Sequence, residues 1–156
     1  MPNKDPLARH NADTLLAFDF GNKKIGVAIG QTSTGIASPL QTIRSHNQQP
    51  DWQKITHLIE QWQPAGFVVG LSTQDDGSDN PITPRIRKFC RQLEGRYQRP
   101  VYQMDEAFST FEAKQLLYDE LQLKAGKLWE VQDQLAAQLI LQSWLNNHTE
   151  QYDTNR

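Results

Sequence analysis

The chain has 156 residues, is 37% hydrophobic and carries a formal net charge of -2. That suits one globular domain with a real core and excludes a protein drawn to nucleic acid by its global charge. Its one cysteine, Cys90, excludes internal disulfides and fits a reducing cytoplasm, and no stretch approaches the roughly 18 apolar residues of a membrane span.

The opening MPNKDPLARHNAD lacks the apolar core of a signal peptide, so the expected location is cytoplasmic, with no membrane partner. Residues 1–12 and 148–156 read as flexible tails around one domain over 13–147. Within it, 14–21 is an apolar strand closed by the turn residues Gly21-Asn22. A second strand spans 24–31, with Gly26 and Gly30 allowing bends or close backbone approach. A third over 35–43 completes an antiparallel meander. Trp52, Ile55, Leu58, Ile59 and Trp62 then take helical spacing, closed by Pro64. GFVVGL (66–71) is a short, β-branched, buried strand, and STQDDGSDN (72–80) is a loop with a turn at Asp75-Asp76-Gly77.

Thr83-Pro84 reads as N-cap and first helical position of a helix to about 95. Ile86, Phe89, Cys90 and Leu93 make its inner face, where Cys90 is expected to be inert. PVYQMDEA is a further strand. Ser109 and Glu112 form a capping-box pattern for a helix through about 123. KAGKLWE (124–130) reads as a loop. The last helix, over 131–146, is apolar almost all round and so expected to be buried. The order β-β-β-α-β-α-β-α-α predicts an α/β fold. Its mixed five-stranded sheet has three antiparallel strands, then parallel βα units, with helices on both faces.

Acidic residues stand at three landmarks of this plan. Asp19 lies inside the first, apolar strand, where an unpaired carboxylate is costly. A salt bridge, backbone N–H donors or a metal ion can offset that cost. Asp105 and Glu106 close the last strand, and Asp133 opens the final helix. Acids at a helix N-terminus also suit the helix dipole or act as caps, so each has a purely structural reading. Carboxylates that converge repel one another, and divalent cations remove the penalty. Hard oxygen ligands suit Mg2+ or Mn2+. Two such ions about 3.5–4 Å apart can activate water and stabilise the leaving oxygen of a phosphodiester.

Four stretches, DFGNKKIGVAIG, GLSTQDDGSDNPITPRIRKF, DEAFSTFEA and DQLAA, occur in order at fitting distances. Together they resemble the successive motifs of the YqgF/RuvX family, and the resemblance spans nearly all of 14–145. It implies an RNase H-like fold and a bacterial nuclease. The family is described both as a Holliday-junction resolvase and as the nuclease that finishes the 5′ end of 16S ribosomal RNA. Carried over motif by motif, Asp19, Glu106 and Asp133 would be catalytic residues and metal ligands, with Asp105 a further ligand or a supporting group. The resemblance implies two divalent ions and no organic cofactor. It implies pre-16S rRNA or branched DNA as partner, with ribosomal precursor particles as a further partner, and a monomer or homodimer. The family usually has arginine after the D-E pair, where this chain has Ala107, and proline after the strand-four G-L, where it has Ser72.

Several groups suit a nucleic-acid backbone. Lys23 and Lys24 follow the Asp19 turn, and Arg85, Lys88 and Arg91 recur at helical steps opposite the core face. Ser109 and Thr110 can donate to phosphate, although capping a helix uses the same hydroxyls. Solvated lysines and an ordinary charged helix face are the plain alternatives. Trp52 and Trp62 read as packing, and Trp129, in a loop, as a stacking candidate. Two other classes stay open. DFGNKKIGVAI also resembles the first phosphate motif of actin-like ATPases and sugar kinases, which need a second domain. The missing arginine leaves room for a non-catalytic nucleic-acid-binding module of ribosome assembly.

Overall fold

The computed structural model describes residues 13–74, 76–105 and 128–154. Eight elements follow in chain order: β1 (Thr14–Phe20), β2 (Lys24–Gln31), β3 (Ile36–Arg44), α1 (Trp52–Trp62), β4 (Gly66–Leu71), α2 (Thr83–Tyr97), β5 (Val101–Asp105) and α3 (Leu128–Thr154). The strands form one sheet in the order β3-β2-β1-β4-β5. β1–β2 and β2–β3 are antiparallel, whereas β1–β4 and β4–β5 are parallel. The meander, the central β1 and the parallel βα units are those expected from the sequence. Parallel β1, β4 and β5 therefore end at one edge of the sheet, where ligands of open α/β sheets commonly bind.

Period-two alternation in β1 divides the core in two. Leu16, Phe18 and Phe20 face α1 and α2, packing with Phe67, Val69, Ile55, Ile59, Ile86, Phe89 and Leu93. Phe18 meets the Phe89 ring edge-on at 5.5 Å, and Trp52 stacks on Phe89 at 5.5 Å. Leu15 and Ala17 face α3, against Ala137, Ile140, Leu141, Trp144 and Leu145. Helices thus cover both faces. Trp52 and Trp62 are packing residues as expected, each lying against the first cluster.

α3 departs from its sequence reading. Its start lies at Leu128, so Trp129 is helical and not in a loop, and its end at Thr154 takes in residues assigned to the tail. The helix is not apolar all round, because Gln134, Gln138 and Gln142 make a row at four-residue steps along β3. The Gln142 side chain accepts from the Ala37 N–H at 3.0 Å and donates to the Gly35 carbonyl at 2.8 Å. Gln138 donates to the Ala37 carbonyl at 3.0 Å, and Gln134 to the Thr42 hydroxyl at 3.3 Å. β3 is the outer strand of the meander, and Gln138 and Gln142 bond backbone groups of Ala37 and of Gly35 just before it, while Gln134 reaches the Thr42 side chain.

α2 also starts differently. Thr83 is already helical and fully buried. Its hydroxyl donates to the Ser72 carbonyl at 2.6 Å, tying α2 to the segment after β4. The N-cap is Ile82, without a side-chain capping bond, and the Asn80 side-chain oxygen just before it accepts from the N–H groups of Ile82 and Thr83 at 3.0 and 3.1 Å. The expected turn is present around Asp76, which accepts from the Ser78 N–H and hydroxyl, with Gly77 at φ +87°. The expected helix over 109–123 and the residue Asp75 lie outside the described residues.

Candidate active site

Asp19 is the next-to-last residue of β1, on the α3 face after Leu15 and Ala17, and it is half-buried. It stands at the sheet edge where the parallel strands end. Its cross-strand partner in β2 is Gly26. The absence of a side chain at Gly26 has a specific use. A Cβ there would overlap the Asp133 carbonyl oxygen and lie 3.1 Å from the Asp133 Cβ. The α3 backbone therefore rests on β2 at the residue paired with Asp19. One small residue thus links the backbone positions of Asp19 and Asp133, although the two are far apart in the chain.

Asp133 does not open its helix. It lies well inside α3, which begins at Leu128. A capping role is thereby removed, and the dipole effect fades within the first turn. The charge that answers Asp133 is Lys24, whose Nζ stands 3.0 Å from Asp133 Oδ2. The side chains are 45% and 27% exposed, so the pair is partly desolvated. Lys24 is held near Asp19 by a tight turn in which the Gly21 N–H donates to the Lys24 carbonyl at 3.1 Å. Lys23 is exposed and serves the fold through its carbonyl, which accepts from the Ser45 N–H at 2.9 Å.

Asp105 ends β5 opposite Leu71 at the same sheet edge. Strand alternation sets it apart from Met104, which packs on the α3 side, so Asp105 is aligned with the α2 side of the sheet. Glu106, Ala107, Ser109 and Thr110 lie outside the described residues. Among the described residues, no three His, Cys, Asp or Glu side chains gather as a metal-holding group. Asp133 of α3 rests on Gly26, the strand partner of Asp19, and both acids carry hard-oxygen groups of the kind that Mg2+ or Mn2+ accepts.

The basic residues of α2 have separate roles. Arg85 clamps the turn before α1: its guanidinium donates to the Gln48 side-chain oxygen at 2.9 Å and to the Gln48 carbonyl at 2.7 Å. That turn carries Asn47 and Gln48 at φ 52° and 62°, a conformation that gains from such a tie. Lys88 and Arg91 are exposed. Lys88 and Arg85 line a shallow cavity with Phe20, Gln49, Pro50 and Gln92. Arg87, not singled out in the sequence, pairs with Asp79 at 2.8 Å. Cys90 is buried, and burial pushes its thiol up to about 11, so it stays protonated and unreactive at neutral pH.

Sequence reasoning missed the Lys24–Asp133 pair and the glutamine row. Only the row had a visible signal, the four-residue spacing of Gln134, Gln138 and Gln142. No helix among the described residues is long and apolar enough to cross a membrane.

Residues 13–147 match the family described as "RuvX: Holliday junction resolvase". A protein of Methylococcus capsulatus named "Putative pre-16S rRNA nuclease" is 52% identical over 133 residues, 85% of this chain and 88% of that protein. One of the same name from Haemophilus ducreyi is 44% identical over 137 residues, covering 88% and 99%. Among solved structures, T. thermophilus RuvC in complex with a Holliday junction substrate superposes with a TM-score of 0.56 at 13% identity, over 88% of this chain and 97% of that one. The fowlpox virus Holliday junction resolvase gives 0.52 at 12%, over 86% and 99%. At such identities the likeness is one of fold, and that fold is RNase H-like. With the match running from the residue before β1 into the C-terminal part of α3, the chain belongs to the RuvX family.

Proposed function

We propose that this chain is a nuclease that hydrolyses phosphodiester bonds in 5′-end processing of pre-16S rRNA, with Asp19, Glu106 and Asp133 as its catalytic carboxylates. The observation that carries this reading is the contact of Asp133 with Gly26, the strand partner of Asp19. It supports a shared site for two acids from distant parts of the chain, at the edge where the parallel strands end. Relatives up to 52% identical carry the pre-16S rRNA nuclease name, which favours RNA as substrate.

The carboxylates would hold Mg2+ or Mn2+, as two ions, with Asp105 close enough along the chain to assist Glu106. When bound, such ions lower the pKa of a coordinated water and neutralise charge on the departing oxygen. The protein's own part is positional. Asp19 is fixed by the sheet ladder, and Asp133 by the seat of α3 on Gly26. Lys23, Lys24, Lys88 and Arg91 offer ammonium and guanidinium groups to backbone phosphates, and Ser109 and Thr110 offer hydroxyls. Arg85 contributes by fixing the turn beside the Lys88 cavity.

Cleavage of pre-16S leader RNA and of four-way DNA junctions, measured side by side, tests the proposal. Wild type is expected to cut the RNA and Asp19→Asn to lose turnover while keeping its fold. Asp19→Asn cutting at the wild-type rate would falsify the mechanism. Preferential cutting of junctions would instead support the second reading, a resolvase, which rests on the description of the matching family.

A further inference from the structure

Lys24 has three independent constraints that bring its ammonium to Asp133. The Gly21–Lys24 bond closes the β1–β2 turn. Lys24 pairs in register with Arg44 of β3. Two residues on, Gly26 seats the Asp133 carbonyl, and residues i and i+2 of a strand share a face. The 3.0 Å ion pair is thus a product of the same architecture that seats Asp133 on the strand partner of Asp19. Neighbouring carboxylates repel each other, and a nearby ammonium offsets that repulsion. A pair this exposed also parts readily.

We infer that Lys24 is the resident counter-ion of the acidic pocket. It neutralises Asp133 in the metal-free protein and must release that carboxylate before Asp133 can serve a divalent cation. The freed ammonium is then available to a phosphate oxygen of the substrate. The inference rests on the metal-assisted reading above and deepens it. Lys24 is a positioning residue that keeps the pocket assembled without metal and lowers the affinity for metal. Metal uptake and phosphate binding become coupled, because one side chain leaves the first role to take up the second.

Mn2+ binding to the free protein, followed by the electron paramagnetic resonance signal of unbound Mn2+, tests this without reference to turnover. Wild type, Lys24→Met, Lys24→Gln and Lys24→Arg are compared, with melting curves in chelator alongside. The two neutral variants are expected to bind Mn2+ about two- to fivefold more tightly, the range set by losing a half-exposed competing ion pair. Lys24→Arg is expected to stay at the wild-type affinity. In chelator the neutral variants should melt lower than wild type, and saturating Mn2+ should narrow the gap. Unchanged or weaker Mn2+ binding by both neutral variants, with wild type still binding, overturns the inference and leaves the nuclease reading intact. Lys24→Arg binding as tightly as Lys24→Met overturns it too, because charge would then not be the cause. If no variant takes up Mn2+, with or without leader RNA, the metal-assisted reading falls together with the inference.

Discussion

Gly26 is the residue on which the geometry of the site turns. Its α-carbon bears the Asp133 backbone on one side while its ladder partner is Asp19. Gly26→Ala forces α3 away from β2. Overpacking of this kind costs about 1–3 kcal/mol, so a lower denaturation midpoint is expected together with a loss of cleavage out of proportion to the unfolded fraction. Denaturant titration and turnover on the same samples check this. Cys90 gives a residue-scale prediction in pH. Burial lifts its folded pKa to about 11, above the ordinary thiol value of 9.0, so between the two the folded state holds the proton more tightly. Stability contributed by the protonated thiol is complete below about pH 9 and falls as pH rises through 11. Cys90→Ala should flatten that decline in urea titrations at pH 8, 9 and 10. At this scale Asp19 was legible in the sequence, since a carboxylate inside LLAFDF has to be answered. The approach of Asp133 was not, because it is distant in the chain and is related to Asp19 only through the glycine on which it rests. Gly26 itself was legible as a point of close approach, though not what approaches it.

Among the elements, those with a strong apolar period were readable nearly to the residue. β2, α1 and β4 have the expected ends, since Pro64 stops α1 and glycine or polar residues flank the strands. α3 was misread at both ends for a physical reason. No Ser, Thr, Asn or Asp precedes Leu128 as a cap signal, and Gly126 suggested a loop. At the other end the apolar period stops near Leu145 while the helix continues to Thr154. Thr83 was misread because its hydroxyl serves a tertiary bond to Ser72, which no local pattern reveals. Two element-scale substitutions separate core from edge. Phe89→Ala, which opens the α2 side of the core, should cost about 3–5 kcal/mol in chemical denaturation. Gln142→Ala removes two bonds to β3 and should cost about 1–3 kcal/mol, each net bond being worth about 0.5–1.5. Neither change touches Asp19 or Asp133, so Mn2+ affinity of the folded fraction should stay at the wild-type value in both.

For the whole molecule, the formal charge of -2 means that attraction to RNA has to come from local groups of exposed cations. Lys88→Ala and Arg91→Ala should weaken leader-RNA binding and each reduce the salt slope of log affinity by about 1, as for a lost phosphate contact. Fluorescence anisotropy over a salt series measures it. Chelator should abolish cleavage and added Mg2+ or Mn2+ restore it, while the folded state, whose core is independent of metal, should survive chelation by circular dichroism. Fold class was legible at this scale because strand and helix periods alternate in an order that few sheets accommodate. A shared acidic site was suggested only by motif resemblance, since no periodicity reports which strand ends meet.

The amide row along β3 is periodic, and repetition has an ambiguity. Sliding α3 by four residues, about 6 Å along its axis, would set one glutamine where the previous one stood and re-form much of the same bonding. Such a shift would carry Asp133 off Gly26, the strand partner of Asp19, and break its ion pair with Lys24. What fixes the phase is the unrepeated part of the interface, with Gly26 beneath the Asp133 carbonyl and Gly30 beneath Leu141 and Leu145. The glutamines hold the helix down, and the two bare α-carbons determine which notch it occupies.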